Sequence, residues 1–143
     1  MLSRRSFTLL LIGLVVSEFL VVDVIGAPSV EEIAKALEQN KPDVNKRDKS
    51  GKTALHRAAE SGNAKEAKKL IDNGAHVDIG NHFGLTPLHF AASNGHKDVT
   101  KVLIDNGAYI NHEDDMNLTP LHYATKKGHN ELAQYLQGNG GRK

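Results

Sequence analysis

Thr86-Pro87-Leu88-His89 stands midway between two near copies of itself, Thr53-Ala54-Leu55-His56 before it and Thr119-Pro120-Leu121-His122 after it, at the same spacing on either side. The register extends outward from these tetrads. Ala58, Ala91 and Ala124 fall into step, followed by Gly62, Gly95 and Gly128, then Leu70, Leu103 and Leu136, then Gly74, Gly107 and Gly140. Val77-Asp78 matches Ile110-Asn111 and, one period back, Val44-Asn45. A fixed period of this size marks an architecture in which one small structural unit is repeated along the chain.

The residues of the central unit explain its local form. Thr86 is a helix cap, and Pro87 occupies the first helical position, where its missing N–H costs nothing. Leu88, Ala91 and Ala92 line one side of a short helix, with alanines small enough for close helix contact. Asn94-Gly95 ends it, Gly95 being free to adopt the left-handed conformation. Val99, Val102, Leu103 and Ile104 form the apolar side of a second helix, which Asn106-Gly107 stops. The stretch between one helix pair and the next, around Gly84, makes a hairpin. One such unit cannot bury its own apolar faces, so stability must come from stacking on neighbours.

These residues resemble the ankyrin-repeat family, whose units recur about every 33 residues with a Thr-Pro-Leu-His signature. The resemblance runs over about residues 29–141. It implies an all-α solenoid of helix-turn-helix units with short β-hairpin loops, and a concave helical face that binds other proteins. The expected organisation is a leader at 1–27, an N-terminal capping half-repeat at 28–47 and repeats at 48–80 and 81–113. A third repeat with a C-terminal tail fills 114–143. In the half-repeat, Ser29 and Glu32 form a capping box, and Val30, Ile33, Ala34 and Leu37 share a helical face. Polar residues mark the ends of the stack. Glu66 and Lys69 replace Val99 and Val102, and Gln137 replaces Ile104. The Gly-rich tail from Gly138 to Lys143 is expected to fray.

The leader differs from the rest. Arg4 and Arg5 precede the run Phe7–Val16, and Val24-Ile25-Gly26-Ala27 offers small residues for cleavage. This is the layout of a secretory signal peptide, with the cut expected after Gly26. Two alternatives stand beside it: an uncleaved signal anchor, interrupted by Glu18 and Asp23, and a twin-arginine signal. The leader predicts a secreted protein, or on the alternatives a membrane-anchored or periplasmic one.

The full chain has 143 residues, a net charge of +1 and no cysteine. There is therefore no disulfide framework, thiol nucleophile or Cys-ligated zinc. The near-neutral balance gives no general attraction to nucleic acid or to an anionic membrane. No nucleophile elbow, phosphate loop, metalloprotease helix or dinucleotide fingerprint is present, so the chain reads as a non-enzyme without a cofactor. His56, His89 and His122 fall at one place in successive units, separated by about 8–10 Å. That is too far to share a metal, so they read as structural histidines bridging loops. Asn117-Leu118-Thr119 has the form of a glycosylation acceptor. However, Asn117 replaces the hairpin glycines Gly51 and Gly84, and Thr119 is occupied as a helix cap.

Positions that vary from unit to unit are the candidate recognition surface. On the hairpins and inner helices they include Lys49, Ser50, Lys52 and Arg57 in the first unit. The second supplies His82, Phe83, Leu85 and Phe90. The third supplies Asp115, Met116, Leu118, Tyr123, Lys126 and Lys127. Aromatic and methionine side chains at hairpin positions suit the core of an interface with a protein partner, which the sequence does not identify. A monomer is expected. Charge is uneven along the array. Residues 41–69 carry nine Lys/Arg against four Asp/Glu, 70–115 two against seven, and 116–143 four against one.

Overall fold

The computed structural model describes residues 28–143. The signal-peptide reading of residues 1–27 lies outside the described residues. The chain divides into two units, parted between Pro42 and Asp43. In the first, helix α1 spans Val30–Gln39. Its capping box forms as the sequence predicts. The Glu32 N–H donates to Ser29 Oγ at 3.1 Å and the Ser29 N–H donates to Glu32 Oε2 at 2.7 Å. Val30, Ile33 and Leu37 on its apolar face are exposed.

The second unit contains three helix pairs. These are α2 (Ala54–Ser61) with α3 (Ala64–Asp72), α4 (Pro87–Ser93) with α5 (Lys97–Asp105), and α6 (Pro120–Lys126) with α7 (Asn130–Gly138). Each first helix packs on its own partner, and α2 packs on α4 and α4 on α6. Leu55, Leu88 and Leu121 at the start of these helices are buried, as are Ala58, Ala91 and Ala124 one turn on. Val99, Leu103, Leu132 and Leu136 of the second helices close the core behind them. Each buried leucine or valine contributes roughly 1.5–3 kcal/mol relative to an exposed one. Ala92 packs with the third repeat, and Ile104 and Ile110 touch both of the clusters into which the core divides. Each unit thus covers an apolar flank of its neighbour, as nearest-neighbour stacking requires.

No β-strand forms among the described residues; the expected hairpins are reduced to tight tips. Asp48 shows why one turn suffices. Its N–H donates to the Lys52 carbonyl at 2.9 Å, and its own carbonyl accepts from the Gly51 N–H at 2.9 Å. Its carboxylate accepts from the N–H groups of Ser50 and Lys52. Asn81 and Asp114 repeat the arrangement in the next two units. The last position of the turn is left-handed: φ is +75° at Gly84 and +61° at Asn117, the single non-glycine residue with positive φ among the described residues. Asn tolerates this conformation through its short polar side chain, so the sequence reading of Asn117 as a glycine substitute holds.

The tail differs from expectation. The Gly141 N–H donates to the Leu136 carbonyl at 2.7 Å and the Arg142 N–H to Asn111 Oδ1 at 2.7 Å. The Thr119 hydroxyl donates to the Arg142 carbonyl at 2.5 Å. The segment is therefore tied down through Arg142 rather than frayed. Its glycines serve the helix exit and the turn after it.

Candidate binding surface

Three ladders of polar contacts hold the units in register and so position the surface. The first runs through the histidines. The Thr53 N–H donates to His56 Nδ1 at 3.0 Å, and the Thr53 hydroxyl lies 3.0 Å from the same atom. Because Nδ1 faces a backbone donor it is the unprotonated acceptor, which puts the proton on Nε2. Nε2–H then donates to the Leu85 carbonyl of the next unit at 2.9 Å. His89 repeats this with Thr86 and the Leu118 carbonyl. The neutral ring takes the place of the glutamate in an ordinary capping box and also bonds to the neighbouring repeat. Burial, the largest effect, lowers both imidazoles below their usual value near 6.5.

The second ladder runs in the opposite direction. His96 Nε2–H donates to the Glu60 carbonyl and His129 Nε2–H to the Ser93 carbonyl, each at 3.0 Å. Their rings lie against Gly62 and Gly95 of the preceding unit. The third ladder uses Asn45, Asp78 and Asn111. Asn45 bonds the Gly74 carbonyl and the His76 N–H, Asp78 accepts from the Tyr109 N–H, and Asn111 bonds the Gly140 carbonyl and the Arg142 N–H.

On this frame the hairpin tips form a row. The His82 N–H donates to the Ser50 carbonyl at 3.2 Å and the Asp115 N–H to the Phe83 carbonyl at 3.1 Å. Lys49, Ser50, His82, Phe83, Asp115 and Met116 are thereby brought to one edge, all exposed. Phe83 is 64% and Met116 67% accessible, so two large apolar side chains stand in water on adjacent tips.

The other candidates fall into two groups. Arg57, Lys126 and Lys127 are exposed on the inner helices or at their ends. Arg57 Nη2 is bound to Asp48 Oδ2 at 2.7 Å. Lys52, Leu85, Leu118, Phe90 and Tyr123 are half-buried and serve the stack. The Phe90 ring meets His56 edge-on at 5.6 Å, while Lys52 Nζ sits 4.5 Å from its centre and 3.1 Å from Glu60 Oε2. Tyr123 meets His89 edge-on at 5.7 Å and its hydroxyl donates to Asp114 Oδ2 at 2.5 Å. Burial and that bond push the Tyr123 hydroxyl up to about 12. For Asp114, burial acts to raise the carboxyl. The Tyr123 hydroxyl and the N–H groups of Leu118 and Met116 outweigh it, and the net direction is down. Asp48 is held well below the usual carboxylate range by the Ser50 hydroxyl and Arg57.

Sequence reasoning assigned no role to Asp48, Asn81 and Asp114, although an Asp or Asn recurs there in every unit. Two open grooves indent the first repeat, of about 290 and 330 Å³. One is lined by Lys46, Arg47, Asp48 and Lys52 among others, the second by Ser61, Asn63, Glu66 and Leu70 among others, and Ala54 and Arg57 border both. Among the described residues no three His, Asp or Glu side chains are placed to hold a metal ion. No described helix is long and apolar enough to cross a membrane.

A family model described as ankyrin repeats (3 copies) matches residues 26–81 and 67–143. No curated protein matches the chain.

Proposed function

Because the chain belongs to the ankyrin-repeat family, whose members typically act as non-enzymatic scaffolds that mediate protein–protein contacts, we propose that it is an exported binder of a protein partner. The recognition surface in this reading is the tip row, continued by exposed inner-helix residues such as Lys126 and Lys127. The observation that carries it is the pairing of Phe83 and Met116, both largely exposed on tips fixed by the Asp115–Phe83 backbone bond. Exposed aromatic and methionine side chains on a rigid frame are typical binding anchors. Little ordering entropy is lost when the backbone beneath them is already fixed. Export rests on the Arg4-Arg5 start and the apolar run that follows. Residues 28–47 are kept as a half-repeat, on the strength of the match of the α1 helix, shifted by one period, to the second helix of a repeat.

Phe83→Ala combined with Met116→Ala is expected to weaken capture of the partner at least about 30-fold, the effect of losing roughly 2 kcal/mol at a binding anchor. Because both side chains are exposed, the helical circular dichroism and the unfolding midpoint should stay as in the parent. Unchanged capture in a pulldown by the doubly substituted chain rejects the tip row as the binding surface.

A further inference from the structure

We propose that the joint between the first and second repeats loosens in mild acid, through protonation of His56, more readily than the joint at His89. The two joints are built alike but face different charges. The groups facing His56 are Lys52 and Arg47, which oppose a positive ring, and Asp48, which favours one. Asp48 is already engaged: its carboxylate accepts from the Ser50 N–H and hydroxyl and from the Lys52 N–H, and it is paired with Arg57. From α4 the uncharged Phe90 ring meets His56 edge-on, with the Lys52 ammonium above that ring. His89 faces the Asp114 carboxylate, which also accepts three hydrogen bonds but, unlike Asp48, has no cation paired with it among the described residues and so favours a positive ring. His112, edge-on at 6.1 Å, opposes one by its charge, and Tyr123 closes the other side.

A proton taken from water adds to Nδ1 of His56. That atom then becomes a donor pointed at the Thr53 N–H, itself a donor, and the pair repels. The ring relieves this by leaving its site, which also breaks the Nε2–H bond to the Leu85 carbonyl. The same movement weakens the joint, which is then held by the His82–Ser50 and His96–Glu60 bonds and the buried core. At His89 a protonated Nδ1 faces the Thr86 N–H in the same way and burial disfavours the charge there too, but the Asp114 carboxylate offsets part of it, so this joint responds less. The opened chain titrates near 6.5, the ordinary imidazole value. More protons are therefore bound open than closed below that pH, and acid favours opening; above it the effect vanishes. One imidazole changes the opening equilibrium by at most about tenfold per pH unit.

Hydrogen exchange of the full chain at pH 7.5 and 5.5, corrected for the intrinsic exchange rate, tests this. The amides of α2 and α3 should lose roughly three- to tenfold in protection while those of α6 and α7 lose less. His56→Gln, whose amide oxygen accepts from the Thr53 N–H, should remove the loss. Lys52→Leu, the residue found at 85 and 118, should shrink it. Asp114→Asn, the residue found at 81, should bring the loss in α6 and α7 up to that in α2 and α3. Equal loss in all repeats, no dependence on pH, or an unaltered response in His56→Gln overturns the proposal.

Discussion

His89→Ala is expected to cost about 3–5 kcal/mol of unfolding free energy, whereas His122→Ala should cost about 1–2 kcal/mol. The first substitution leaves the buried Thr86 N–H without an acceptor and removes the bond to the next repeat at the Leu118 carbonyl, which keeps the Asp114 N–H as its other donor. The orphaned N–H costs roughly 1–3 kcal/mol, and the lost inter-repeat bond and the vacated ring volume add to the loss. His122 makes the same bond to its own cap, the Thr119 N–H at 3.1 Å, but no following repeat accepts from its Nε2 among the described residues. Because marginal domains are held by only about 5–15 kcal/mol, the larger loss is a substantial share of the total. Denaturant unfolding of both variants measures the difference. Equal costs imply that the histidines stabilise their own helices and do not join the units.

Gly95→Ala should destabilise by about 3 kcal/mol and Gly128→Ala by about 1–2 kcal/mol. The two backbones are nearly the same, with φ at +73° and +79°, so the left-handed penalty is shared. Their surroundings differ. A Cβ on Gly95 lies 2.6 Å from Nδ1 of His129, while one on Gly128 meets nothing within 4 Å. The extra cost at 95 comes from displacing the His129 ring and with it the bond to the Ser93 carbonyl. A second substitution, His129→Ala, makes room for the new methyl group. The double variant should therefore lose less than the sum of the two single ones, which a double-mutant cycle reads directly. Strict additivity contradicts the packing of that ring on the glycine.

Much of this architecture is legible in the sequence because periodicity is a global signal. The Thr-Pro-Leu-His tetrads place the helix starts, and the Asn-Gly pairs place the ends to within a residue or two. The roles of single side chains are less legible where the same residue serves exposure or packing. Phe90 and Tyr123 occupy a position that is Arg57 in the first unit, so variation suggests recognition. In the fold their rings abut the histidine of the preceding unit. The first unit has no repeat with a matching Thr-Leu-His helix before it, and a charged residue suffices there. Lys52 reads as a recognition residue, yet Glu60 and the Phe90 ring hold it. The tail misleads by composition. Glycines suggest fraying, but Arg142 falls one period after Tyr109 and takes the same kind of contact, from Asn111 in place of Asp78. The tip pair Phe83 and Met116 is legible because no framework position of the repeat calls for a large apolar residue there.

The joining of units through neutral, doubly bonded imidazoles is tested most directly by long-range proton–nitrogen NMR of the histidine rings at pH 7.5. His56 and His89 should each appear as the Nε2–H form, with a slowly exchanging ring proton and Nδ1 shifted as an acceptor. Rings that average between the two tautomers, or that carry the proton on Nδ1, would contradict the ladder on which the row of tips depends.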